Sequence, residues 1–319
     1  MLQSFQIVGT QVLVLFVLIV IGFFCGKKKL LSGQAIRGIN DLVLYLVNPC
    51  VIVHAFQREF NISLLRGFLF ALLAAVIAHG LCLILSFLIF RMKKAGEDAG
   101  NASGDENRIR VLRFATVFSN CGFMALPLLD ALAGADGVFY GAAYLTVFNL
   151  LIWSYGQYSM AKGTDGFSAK KVLLNPSIIS VFIGLILFFT STTLPDLIAL
   201  PIGHMAALNT PVPMIIIGYT IANLDLKHLF GPADEFLVYL FRLIVSPLLL
   251  LGILYLIGLR GTLLVSCIVS ASAPVAGLTT MFSIKYGRDT SLSSRLVATS
   301  TLLSILTMTL IVGIAQYLS

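Results

Sequence analysis

Ten stretches of about twenty apolar residues follow one another along this chain, near 7–26, 34–56, 65–91, 111–130, 137–160, 172–191, 200–223, 236–257, 261–284 and 290–317. A helix of ~20 residues rises ~30 Å, the thickness of the hydrocarbon layer of a bilayer. A water-soluble fold could not hide so much apolar side chain. Of the 319 residues, 58% are hydrophobic and only 11% are charged, against roughly 25% charged in a soluble domain. Apolar runs of this length also exclude a membrane β-barrel, whose strands alternate in polarity over ~10 residues. The expectation is an all-α polytopic membrane protein with ten transmembrane helices. The first run does not read as a cleaved leader, because Lys27, Lys28 and Lys29 follow the apolar segment rather than precede it.

Charge sets the orientation. With the spans numbered in order, 17 of the 21 Lys and Arg residues fall in the odd loops. The even loops hold Arg58, Arg66 and Arg260, and Arg242 lies inside span eight. Positive loops stay in the cytoplasm, so both termini are expected outside, in a cell (inner) membrane. The net charge of +7 is thereby topogenic and does not point to nucleic acid. The one extended polar stretch, 92–108, reads as a flexible cytoplasmic linker, and no extramembrane enzyme or receptor domain stands out. The five cysteines (Cys25, Cys50, Cys82, Cys121, Cys267) all lie in apolar spans without CxxC spacing, and the four histidines are scattered. Neither set suggests a disulfide framework, a metal site or a cofactor.

The chain also resembles itself. Shifted by 153 positions, Gly134-Ala135-Asp136 falls on Gly287-Arg288-Asp289, and the region of Asn120 falls on Ala273-Pro274. Earlier in the chain the shift is 162, which places Asn48-Pro49 on Thr210-Pro211. The long polar linker, absent from the second half, accounts for the difference. Two units are expected, 1–161 and 162–319. Five spans per unit is an odd number, so the second copy enters the membrane upside down, as in the inverted repeats of secondary transporters.

Spans two, four, seven and nine carry Pro, Gly or Asn in mid-membrane. Span four reads Ser119-Asn120-Cys121-Gly122 and on to Pro127; span nine reads Ser272-Ala273-Pro274-Val275. Proline removes a helix hydrogen bond, and the freed backbone groups cannot face lipid. Matching breaks in two halves therefore mark the expected transport site. Half-helix N-termini carry partial positive charge and free N–H donors, so two of them around one cavity would hold a carboxylate, with the Asn120 amide as a further donor. The site residues expected are Asn120, Cys121, Gly122, Pro127, Ala273, Pro274 and Val275.

These stretches resemble the auxin efflux carrier family, which includes plant auxin carriers and bacterial malonate-type carriers. The resemblance is carried by Gly38-Ile39-Asn40 with Pro49, by Asn120 through Pro127-Leu128-Leu129 with Gly134, and by Ala273-Pro274 with Tyr286-Gly287-Arg288-Asp289 and the Ser/Thr-rich tenth span. It implies two inverted five-helix repeats in which helices four and nine cross at the substrate site. It also implies that spans three to five and eight to ten move against a scaffold, and that a small mono- or dicarboxylate is carried by alternating access. Large plant members have a long central loop where only about ten residues join spans five and six here. That departure argues against regulation through the loop and against auxin itself as substrate.

Further candidates for coupling or for lining the cavity are Asp41, Asn48, Pro49, His54, Arg242 and Arg295. Asp41 is the carboxylate best placed to carry a coupling proton. Arg242 and Arg295 either grip a carboxylate or snorkel to the interface. A coupling ion, H+ or Na+, and a homodimer both fit this plan. The rival reading is a sodium-coupled organic-anion symporter of the bile-acid type, which shares the repeat plan. A membrane-embedded sensor or enzyme is the distant one, because neither an output domain nor a catalytic cluster is evident.

Overall fold

The computed structural model describes residues 2–90, 102–161, 170, 173–223 and 231–319. In the first half α1 is Leu2–Lys27, α2 Gly33–Leu42, α3 Asn48–Ala55, α4 Ile62–Ile89, α5 Ala102–Val117, α6 Leu126–Leu151 and α7 Gln157–Met160. In the second half α8 is Pro176–Phe189, α9 Asp196–Ala207, α10 Pro211–Ala222, α11 Ala233–Leu240, α12 Ser246–Leu256, α13 Gly261–Ser272, α14 Leu278–Lys285 and α15 Thr290–Leu318. Among the described residues no β-strand occurs, only one isolated antiparallel bridge between Ser119 and Val275. Six stretches are long and apolar enough to cross a membrane: Gly33–Ala55, Ile62–Ile89, Cys121–Met160, Asp196–Ala222, Ala233–Leu256 and Thr290–Leu318. Leu13–Lys27, Pro176–Phe189 and Gly261–Ser272 are shorter apolar helices. The protein is thus an all-helical, multi-pass membrane protein.

Local chemistry explains where several helices start. Ser32, Asn61, Asn175 and Asp289 each accept a hydrogen bond from a backbone N–H in the first turn of α2, α4, α8 and α15, as good N-caps do. One boundary departs from expectation. The flexible linker was expected to run to 108, but α5 is helical from Ala102. Glu106 and Arg110 pair one turn apart at 2.6 Å, and Arg108 reaches Asp234 of α11 at 2.7 Å; both contacts hold that first stretch in helical form. The rest of the expected linker, 92–101, lies outside the described residues.

Proline leaves a recurrent signature. Asn48-Pro49, Leu126-Pro127 and Ser246-Pro247 each follow a single π turn, at Val43–Val47, Cys121–Ala125 and Phe241–Val245. A proline lacks its N–H and pushes against the carbonyl four residues back. The helix widens there, so that the N–H of Asn48 bonds the Val43 carbonyl and that of Ser246 the Phe241 carbonyl. Span eight was not expected to be interrupted, yet Pro247 marks it as Pro49 marks span two. Gly134, at φ 57°, turns the chain sharply. Beyond it, Gly137 lies against Leu129 and Ala133, and Gly141 against Leu126 and Leu129, so the two limbs fold back as a hairpin. Gly287 has nearly the same φ, 61°, in the turn before α15.

The closest helix pair is α1 with α10. A Cβ on Gly22 would lie 2.2 Å from the Ile215 carbonyl oxygen, and one on Gly218 would lie 1.9 Å from that of Ile19. Small residues let two backbones approach to this degree in a membrane. The inner face of α10 thereby becomes a firm wall for the cavity described next.

Candidate functional site

Two helices break at the same level and repair each other. After α5 the chain leaves the helix from Phe118 to Asn120 before turning helical again, and after α13 it does so from Ala273 to Ala276. The two segments lie antiparallel. The Asn120 N–H donates to the Pro274 carbonyl at 2.7 Å, and the Ala276 N–H donates to the Phe118 carbonyl at 3.0 Å. The Val275 N–H donates to Ser300 Oγ of α15 at 3.1 Å, and Ser119 Oγ donates to the Ser270 carbonyl at 3.1 Å. A buried backbone group without water must find a partner, and each break supplies partners for the other.

The helix ends that face each other here differ in sign. At the C-terminal ends of α5 and α13, Arg242 lies between them with 1% of its surface exposed. Its guanidinium donates to the carbonyls of Thr116 and Val117 at 3.4 and 3.3 Å, to that of Ala271, and to Cys82 Sγ at 3.4 Å. A cation at a helix C-terminus is stabilised by the helix dipole as well as by these bonds. The opposite ends, the turns after Asn120 and around Gly277, border open space.

That space is a cavity of about 140 Å³ bounded by α2, α10, α14, α15 and the Asn120–Phe123 turn. Its polar groups are Asn120, Thr280, Thr220, Asn40 and, at the exposed mouth, Arg37; the remaining walls are mostly Ile, Val and Met side chains. Asn120 Nδ2 and Thr280 Oγ1 are buried with no protein partner. A recess of about 20 Å³ continues behind Asn120 to Asn48, Gly122 and Asn149. A further cavity of about 220 Å³ lies among α3, α6 and α9, lined by His54, Pro127, Asp130, Gly203, Asn209 and Thr210. Asn209, in the gap between α9 and α10, donates to the Gly122 carbonyl at 3.1 Å, so it ties the Asn120 break to that gap.

The structure brings together Asn120, Gly122, Pro274 and Val275 at the crossing, with Asn48 in the adjoining recess. Cys121 and Ala273 are buried beside them. Pro127 and His54 line the larger cavity, and Pro49 starts α3. Three charged candidates sit elsewhere. Asp41 is exposed and lines none of these cavities, because it occupies a different face of α2 from Ile36 and Asn40. Arg295 holds Glu235 in a two-pronged ion pair, at 2.6 and 2.8 Å, and Arg108 meets the same carboxylate at 3.0 Å. Arg242 is buried and lines none of these cavities; the carbonyls of two broken helices accept from its Nη groups, while its Nε has no partner. Asn209, Asn40, Thr280 and Arg37 were not foreseen. For Asn209 a signal was present, because Asn209-Thr210-Pro211 is nearly the counterpart of Asn48-Pro49.

A bundle of membrane-length helices, two of them broken beside a largely apolar cavity that carries a few polar groups, fits a membrane transporter. The family model described as Membrane transport protein matches residues 7–169 and 160–312, and the chain belongs to this family, that of the auxin efflux carriers. It is therefore a transporter, not an enzyme. An "Uncharacterized transporter" of Methanothermobacter thermautotrophicus is 27% identical over 94% of this chain and 95% of its own. Another from Methanocaldococcus jannaschii is 23% identical over 94% and 96%. A protein of Rhizobium meliloti named "Putative malonate transporter" is 24% identical over 93% and 92%.

Proposed function

We propose that this protein is a secondary transporter for a small organic anion, a mono- or dicarboxylate, which binds where the two broken helices cross and is released to either side by alternating access. The observation that carries the reading is the buried Asn120 amide, whose Nδ2 has no protein partner and which lines the cavity beside the N-terminal ends of two half-helices. Each such end carries about half a positive charge, so the pair matches one carboxylate, and the amide adds a directed donor. Arg37 at the mouth would draw anions inward.

The wider plan follows. The helices group into ten passes, as two inverted repeats of five covering 1–161 and 162–319. The matching positive-φ glycines, Gly134 and Gly287, and the paired breaks support that grouping. The positive-inside rule puts the Arg37 mouth in the cytoplasm and both termini outside. The printed name of the Rhizobium meliloti relative and the family resemblance favour carboxylates among the organic anions.

Equilibrium binding of a labelled panel of mono- and dicarboxylates to purified, monodisperse protein tests this. A buried hydrogen bond to a charged group contributes about 1.5–3 kcal/mol, so Asn120→Ala should weaken binding roughly 10- to 150-fold. Asn120→Asp should be worse, because it sets a like charge beside the carboxylate. Binding unchanged in both variants would place the site elsewhere.

A further inference from the structure

Broken membrane helices expose carbonyl oxygens at their C-terminal half-ends, and in many transporters those carbonyls coordinate the coupling sodium ion. Here the equivalent oxygens are those of Thr116 and Val117 at the end of α5 and Ala271 near the end of α13. All three accept hydrogen bonds from one guanidinium, that of Arg242. The arginine arrives from a third element, the π turn Phe241–Val245 ahead of Pro247. That widened turn directs the side chain sideways into the crossing. Cys82 of α4 closes the fourth side at 3.4 Å. Among the described residues none of its partners is a carboxylate.

The charge balance is simple. Two helix C-termini carry together about one negative charge, and the guanidinium carries one positive charge. The carbonyl cluster is thus neutralised from within, and its lone pairs are turned toward N–H donors. We propose that Arg242 is a built-in counter-cation, occupying the place where a coupling metal cation would bind, so that substrate binding and transport need no sodium ion. This rests on the crossing being the substrate site. It separates the protein from sodium-coupled symporters of similar plan by a residue rather than by overall likeness. Proton coupling is untouched by it.

The test reads the ion site on the protein itself. Purified protein should unfold at the same temperature in sodium chloride and in choline chloride of equal ionic strength. In proteoliposomes, labelled malonate uptake with external sodium and with external potassium should stand in a ratio of about one. Arg242→Ala should lower the unfolding midpoint, and millimolar guanidinium or sodium should raise it again while leaving the parent unchanged, because the emptied carbonyls then accept a free cation. Arg242→Met, which fills the space without charge, should not be rescued. If Arg242→Ala does not survive extraction, Arg242→Lys should remain indifferent to sodium. Stabilisation of the parent by sodium over choline would overturn the proposal, as would an Arg242→Ala protein that gains no more from guanidinium than the parent does. Absence of malonate uptake in the parent, with the unfolding results as expected, would count against the carboxylate reading alone.

Discussion

Asn120 and Arg242 show opposite fates for a polar side chain at the same break. Arg242 has its two Nη groups spread over three carbonyls and a thiol, so it holds the crossing together, although its Nε is buried without a partner. Asn120 is tied by its backbone and keeps a side-chain donor unused, so it is free to meet a ligand. A buried hydrogen-bonding group left unpaired costs about 1–3 kcal/mol, which a ligand accepting from Asn120 would recover. Asp41 is the contrasting case: it is exposed on α2 and lines none of the cavities. Asp41→Asn should leave gradient-driven accumulation in proteoliposomes at the parental level; loss of accumulation with exchange retained would restore Asp41 as the proton carrier. The break at Asn120 was legible in the sequence because Gly122 and Pro127 follow it within an apolar run. The position of Arg242 was not. An arginine within a span has the same signature whether it snorkels, grips a ligand or closes off helix ends, and only the folded position of α5 and α13 decides.

At the scale of elements, the membrane-crossing character was legible because lipid demands length and apolarity, and six of the described stretches meet both demands. What the breaks do to the helices was less so. Proline announces an interruption, but not that it takes the form of a π turn before Pro49, Pro127 and Pro247. The α1–α10 contact was also hidden, because glycine within an apolar run counts only as another apolar residue. It nonetheless makes a sharp prediction. Gly218→Ala would drive a methyl group into the Ile19 carbonyl and Phe23 amide, which are backbone atoms that cannot rotate away. Overpacking of this kind costs about 1–3 kcal/mol. Gly252→Ala on α12, where a new Cβ meets nothing within 4 Å, should instead be neutral or stabilising by up to about 1 kcal/mol. Unfolding midpoints of the two purified variants in detergent should therefore move apart; equal midpoints would mean that α1 and α10 are not in this close contact.

For the whole molecule, orientation is the first consequence to check. With 17 of 21 basic residues in odd loops, a cysteine introduced by Ser103→Cys in a cysteine-free background should resist membrane-impermeant maleimide in intact cells and react once the membrane is opened. Efficient labelling of intact cells would invert the topology. A second consequence belongs to biosynthesis. The partners at the crossing come from distant parts of the chain; Ser119 and Ser270, for instance, are 151 residues apart. At roughly 5–20 residues per second, a ribosome takes about 8 to 30 seconds to cover that distance. Throughout that interval the break after α5 lacks the permanent partners of its amides and carbonyls, which come from the segment after α13. Nascent protein is then most open to membrane quality control, and a chain truncated before the ninth span should be degraded rather than accumulate as a stable half.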